Sequence, residues 1–350
     1  MKIVVAIDSF KGSATSKALA NAVKSGILQY DKNISVDDIP VADGGEGTLE
    51  AIYSALGGEF ITVKTVDLLH RPISAQYLLT GNKAFIETAS VLGIDKIIPG
   101  SETVEKADSF GLAAVILDAL ARNVDEILIA LGGTGSSDGG LGILKAFDMN
   151  LSNVRKLSVK LTVLTDVKTP YAGENGYAKV FAAQKGANEK QIEQQNQEAL
   201  KIVEQVKSIY NIDLQNVPGS GAAGGLGGIL YLLGGQLTSG FDKISEYLKL
   251  EEKIAGADLV ITGEGKMDAQ TANGKLPSGI ARLAAKYNVP VIAFCGTLDK
   301  DLGEMNDLLL AAFSIQSGPS NLTEAMNKTK TLQNITNLSK NILAVFDKNK

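Results

Sequence analysis

The sequence is poor in the residues that several chemistries require. Its single cysteine, Cys295, excludes an internal disulfide framework and a cysteine-based metal site, and fits a reducing compartment. Within the run VIAFCG this thiol reads as a buried strand end. The single histidine, His70, excludes a multi-histidine zinc site and leaves Ser-His-Asp catalysis open only if His70 is itself the base. A polar turn is its expected place. Positive charge is also scarce: the net charge is −5 and the lysines are scattered, so neither nucleic acid nor an acidic membrane finds a basic footprint. No run approaches the roughly 18 apolar residues of a membrane span, and the opening MKIVVAID turns acidic too soon for a signal peptide. The expectation is a cytoplasmic protein, monomer or homodimer, that acts on small molecules.

Glycine is abundant instead, 37 residues against 8 prolines, and it gathers at the ends of apolar runs. The 350 residues exceed the usual size of one core, which implies two domains. The richest stretch is 126–147, EILIALGGTGSSDGGLGILKAF, where an apolar strand enters a loop of glycines, hydroxyls and one acid before a helix. Glycine permits positive φ and close backbone approach, and a helix start offers free N–H groups, so the loop reads as an anion cradle. It is not a Walker A loop, since no Gly-Lys-Ser/Thr follows. It also misses the dinucleotide fingerprint, because Asp138 stands where the third glycine belongs.

Along the chain, Lys2 to Ile7 is a strand apolar on both faces, as in a parallel sheet, and Ser13 is placed to cap a helix from Thr15 to Gln29. A second strand, Ser35 to Val41, runs into Asp43-Gly44-Gly45-Glu46-Gly47. From Phe60 to Ile86 the texture becomes alternating, with a hairpin turn at Thr80-Gly81-Asn82-Lys83. Strands then end near Asp166 (Val159 to Leu164) and Glu264 (Asp258 to Thr262), and two more span 289–296 and 308–315. A polar helix covers Asn188 to Tyr210, and an amphipathic helix from Leu322 to Phe346 closes the chain. The pattern predicts an α/β protein of two domains: a Rossmann-like parallel-sheet domain from residues 1–60 and 285–350, and an inserted mixed-sheet α/β domain, 61–284. A ligand cleft is expected between them.

PGSGAAGG (218–225) is the one literal GxGxxG, through Gly219, Gly221 and Gly224, but a polar, proline-ended segment precedes it where a buried strand is required. A dinucleotide-dependent oxidoreductase is therefore disfavoured. Acids follow strands or glycine turns at Asp8, at Asp43 with Glu46, at Asp138, at Asp166, and at Glu264 with Asp268. Loops at the carboxyl ends of strands in open α/β sheets converge on one crevice. Carboxylates, backbone N–H groups and a few lysines there suit a nucleotide polyphosphate with Mg²⁺, hence phosphoryl transfer. Each Asp-Gly pair also has an ordinary reading as turn chemistry, and Lys11 and Lys185 have one as solvated surface lysines.

Six motifs in order, DSFKGS (8–13), PVADGGEGT (40–48), LGGTGSSDGGLG (131–142), GENG with QKGA (173–187), PGSGAAGGLG (218–227) and ITGEGKMDAQ (261–270), resemble those of class I glycerate kinases, and the match spans nearly the whole chain. The resemblance implies an ATP-dependent, Mg²⁺-assisted kinase that phosphorylates D-glycerate to 2-phospho-D-glycerate in a cleft of a two-domain α/β protein. The alternatives are a 3-phosphoglycerate-forming enzyme and a kinase of another small hydroxy acid. Three positions depart from the family pattern: Ile7 replaces a proline, His70 a glycine, and Phe110-Gly111-Leu112 a tyrosine-glycine-threonine.

Candidate roles follow from side-chain chemistry. Asp166, read as an unpaired strand-end carboxylate, is the general base or else a Mg²⁺ ligand, with Glu264 and Asp268 as the other metal candidates. Lys11, Asp43 and Asp138 join it as catalytic candidates. Gly132, Gly133, Gly135, Ser136, Gly219 and Gly221, with Lys185 and Lys275, are expected to hold the nucleotide. Arg71, through its bidentate fork, and Ser9, Glu46 and Glu87 are expected to hold glycerate.

Overall fold

The computed structural model describes residues 1–272 and 274–347; Asn273 of the expected acidic loop and residues 348–350 of the expected terminal domain lie outside them. The chain forms two compact units. One comprises Met1–Asp43, Glu50–Ala55 and the described residues from Phe241 on, and the other Gly44–Leu49 and Leu56–Gly240.

The first unit is built on a five-stranded, wholly parallel sheet with the order 311–314, 291–295, 259–263, 2–7 and 35–38. Strands Lys2–Ile7 and Leu259–Gly263 sit inside it, which is why both read as uninterrupted apolar runs. The segment 241–284, expected in the inserted domain, therefore belongs with the termini, because Ile3 to Ile7 pair with Leu259 to Gly263. Helix Ser16–Tyr30 lays Leu19, Val23 and Ile27 on the sheet core. Its cap is Thr15, whose side chain accepts from the Ala18 N–H; Ser13, the expected cap, pairs with the Thr331 hydroxyl at 2.8 Å. The expected terminal helix is two helices, Leu322–Ala325 and Lys328–Phe346, with Asn321 and Asn327 each capping one start. An asparagine that accepts its own N3 amide competes with the continuous helix that the apolar spacing alone implies.

The second unit holds a six-stranded mixed sheet, Glu59–Val66, Pro72–Thr80, Lys83–Glu87, Glu126–Ala130, Lys160–Leu164 and Gly235–Thr238. The first two pairings are antiparallel, joined at the expected Gly81-Asn82 turn, and the other three are parallel. Its core includes Tyr77, Ile86, Ile127, Ile129, Val163 and Tyr171. Helix Glu189–Tyr210 opens with a full capping box between Asn188 and Gln191 and buries Ala199, Ile202 and Val206. The α/β class, with a parallel main sheet in one unit and a mixed sheet in the other, is thus as the sequence predicts. Among the described residues no helix is long and apolar enough to cross a membrane.

Candidate active site

In the first unit, the loops that leave three parallel strands meet at a cavity of about 500 Å³. The strand Lys2–Ile7 delivers Asp8, Ser9 and Lys11, the strand Leu259–Gly263 delivers Glu264 and, beyond it, Lys266 and Lys275, and the strand Val291–Cys295 delivers Gly296 and Thr297. Asp43 completes the acidic side. This is the carboxyl edge of the sheet, where open α/β proteins bind ligands.

The acids strongly influence one another. Burial, reinforced by the Asp43 charge, raises the Asp8 carboxyl to about 7, although the Ser9 N–H and Lys11 oppose the shift. Asp8 Oδ1 accepts that Ser9 amide at 2.7 Å. Glu264 is buried and its carboxyl is raised by desolvation, against the Thr271 hydroxyl at 2.5 Å and the Lys275 ammonium at 3.4 Å. Lys275 also lies 4.0 Å from Asp268 Oδ1, and Lys266 pairs with Asp268 at 3.5 Å. Among the described residues no group of three or more acids, histidines or cysteines is arranged to hold a metal alone. Asp8 and Thr271 are contributors that the candidate roles above omit. Asp8 was visible as the first acid after a buried strand, whereas a threonine seven residues after Glu264 carries no signal in sequence.

In the second unit the remaining candidates are mostly engaged in holding loops. Asp138 is bound within its own loop: Oδ2 accepts the Ser109 N–H at 3.0 Å, its hydroxyl at 2.8 Å and the Gly142 N–H at 2.9 Å, while Oδ1 accepts from Gly140 at 3.3 Å. An anion at a short helix start has been supplied from within the chain. The glycine loops likewise approach protein backbone. The N–H groups of Gly132, Gly135, Gly139 and Gly221 donate to the carbonyls of Gly44, Leu92, Gly224 and Thr169, so none of these four is a free phosphate donor. A Cβ on Gly132 would lie 2.4 Å from the Gly45 Cα, which is why that position excludes a side chain. Gly219 has φ +84 and faces Thr165 and the Val167 carbonyl, and Gly133, at φ +75, is exposed. PGSGAAGG is accordingly a packing loop before helix Leu226–Leu232.

Asp166 is not an unpaired carboxylate, since Oδ1 accepts the Ser239 hydroxyl and the Gly240 N–H, each at 3.0 Å. Arg71 has no free fork: Nε and Nη2 both bind Asp67 at 2.6 Å, and Nη2 also donates to the Lys96 carbonyl. Asp67, almost wholly buried, is held low against its own desolvation by the backbone N–H groups of Arg71 and Leu69 and then by this guanidinium. Glu87 Oε1 accepts the Leu49 N–H at 2.8 Å, and burial chiefly raises its carboxyl; Glu46 on the same loop is exposed. Lys185 is buried rather than solvated, donates to the Ser136 carbonyl, and is lowered to about 8 by desolvation. The Ser136 hydroxyl is buried with no hydrogen-bond partner among the described residues. His70 adopts φ 60 in the Asp67–Arg71 turn, a left-handed conformation native to glycine, and pairs with Asp108 at 2.9 Å. Cys295 is fully buried, its thiol pushed up to about 12.

A parallel sheet with acids and lysines at its carboxyl edge, in a chain that also carries a mixed-sheet unit, defines an α/β enzyme of the phosphoryl-transfer type. The chain belongs to the glycerate kinase family, whose model matches residues 3–157 and 148–347, and it is a phosphotransferase. It is 34% identical to the glycerate 2-kinase of Escherichia coli (strain K12) over 99% of this chain and 98% of that protein. It is 33% identical to the glycerate kinase of Halalkalibacterium halodurans over 99% of each. A crystal structure described as a glycerate kinase 2 of Salmonella typhimurium LT2 superposes with a TM-score of 0.83 at 32% identity, over 100% of this chain and 99% of that one.

Proposed function

We propose that the chain transfers the γ-phosphoryl group of ATP to the 2-hydroxyl of D-glycerate. The observation that carries this reading is the acid- and lysine-lined cavity at the carboxyl edge of the parallel sheet. Lys11 and Lys275 neutralise phosphate oxygens there, and Asp43 and Glu264, two carboxylates of the lining, would hold Mg²⁺. When bound, the ion would supply positive charge against the negative charge that develops on the transferring phosphoryl group. Thr271 and Lys275 fix the Glu264 carboxylate, so it meets its ligand in one orientation. Asp166 is the proposed base, its carboxylate held in one orientation by the two donors on Oδ1. Arg71 offers glycerate its Nη1, because Asp67 and Lys96 occupy the rest of the guanidinium.

A coupled ADP-release assay over glycerate, lactate, tartronate and hydroxypyruvate, followed by phosphorus NMR of the product, tests the proposal. Glycerate should be preferred and the phosphate should sit on C2; preference for another acid, or a C3 ester, refutes it. Asp166→Asn should lower kcat at least about 100-fold, as loss of a general base does. Turnover near the wild-type rate would remove Asp166 from that role.

A further inference from the structure

The cavity lined by Asp8, Asp43 and Glu264 also has apolar side chains in its lining. Phe10 and Ile315 are buried in its wall, while Leu322 and Met326 line it with 74% and 39% of their surface exposed. Gly12, at φ +73, lies beside this wall, where a Cβ would stand 2.7 Å from the Met326 Cε. Gln316 adds an amide whose Nε2 reaches the Gly296 carbonyl only at 3.4 Å, a long contact that a better partner can replace.

A lone exposed leucine needs no explanation. Here two large exposed side chains and two buried ones line the same cavity as several carboxylates and lysines. A ligand that satisfies both sets has a flat apolar body and an anionic, cation-binding tail. An aliphatic or aromatic side chain of a protein partner would use the apolar wall and leave Lys11 and Lys275 unanswered. A bare polyphosphate would do the reverse.

We propose that this wall seats the purine base of ATP, with Leu322 and Met326 against the ring and the Gln316 amide at its hydrogen-bonding edge. The seat rests on the ATP-dependent reading above and adds to it the part of the molecule that selects a nucleotide over any other phosphoryl donor. It also gives a purpose to the interruption at Met326-Asn327, which turns Leu322–Ala325 away from the line of the terminal helix.

Titration calorimetry of the full chain with Mg·ATP and with Mg·tripolyphosphate tests the seat without requiring turnover. The wild type should bind ATP at least about tenfold more tightly than tripolyphosphate. The double variant Leu322→Ala, Met326→Ala should lose about tenfold in ATP affinity and keep its tripolyphosphate affinity, whereas Leu322→Met should bind ATP as the wild type does. Equal wild-type affinities for the two ligands overturn the seat, as does a double variant that weakens both ligands alike or neither. Base-dependent ATP binding without glycerate-dependent ADP release would leave the seat standing and defeat the functional reading instead.

Discussion

Asp138 and Lys185 show how a residue's surroundings decide its meaning. Asp138 accepts four hydrogen bonds that tie Ser109 to the start of helix Leu141–Ala146. Asp138→Ala strands those donors in a half-buried place and should cost roughly 2–3 kcal/mol in urea unfolding, while Asp138→Asn, which keeps an acceptor, should cost about half that. A ligand-binding aspartate would give the opposite pattern, with activity lost and stability kept. For Lys185, burial lowers the ammonium from its ordinary 10.5 to about 8, with Asp138 acting against the shift. Between those values the unfolded chain binds more protons than the folded one, so this group makes stability rise with pH from about 8 to 10.5. Lys185→Met should remove that rise and stabilise the protein at pH 7, less the lost bond to the Ser136 carbonyl; unfolding curves across this range check both. Neither outcome was legible in sequence. Asp-Gly and Gln-Lys-Gly patterns state what a side chain can do, but an acid that satisfies its own loop and one that awaits a ligand are spelled alike.

At the scale of elements, the strands were the readable part. Lys2–Ile7 and Leu259–Gly263 carry their burial on both faces in plain apolar runs, and the Gly81-Asn82 turn announces its hairpin. The terminal helix was less so, because apolar residues at helical spacing do not reveal that Asn327 restarts the helix, nor that Leu322 and Met326 face a cavity instead of a core. Helix–helix contact is equally silent. Helices Ser16–Tyr30 and Lys328–Phe346 touch at Gly26, where a Cβ would stand 2.2 Å from the Thr336 carbonyl oxygen and 2.8 Å from the Ser339 Cβ. In an isolated helix Gly26→Ala would gain about 1 kcal/mol. Here the nearest obstacle is backbone, which yields only if the helices part, and overpacking of this kind costs about 1–3 kcal/mol. The expected net effect is a lower thermal midpoint. A raised midpoint would show that the two helices separate at little cost.

At the scale of the whole molecule, the order of segments sets what can stand alone. The parallel-sheet unit draws on three separate stretches, so its core needs both ends of the chain: Ile3 and Val5 pack with Leu259, Ile292 and Leu343. The other unit is nearly continuous. All six strands of its sheet and its entire buried cluster, from Ile61 to Leu233, fall within residues 56–240. What a fragment 56–240 would lack is Gly44–Leu49, which supplies the Gly44 carbonyl to the Gly132 N–H and the Leu49 N–H to Glu87. Water can replace those polar partners at a loop surface, and Leu49 is the one buried apolar side chain that goes with the segment. The fragment should therefore unfold in one cooperative urea transition with coincident far- and near-ultraviolet signals, and it should bind no ATP, since it carries none of the residues lining the acid- and lysine-lined cavity. Dye-binding apolar surface and a lost near-ultraviolet signal would mean that its core depends on the missing segments. Retained ATP binding would move the nucleotide site out of the parallel-sheet unit and overturn the assignment of Lys11 and Lys275 to the phosphates and of Glu264 to Mg²⁺.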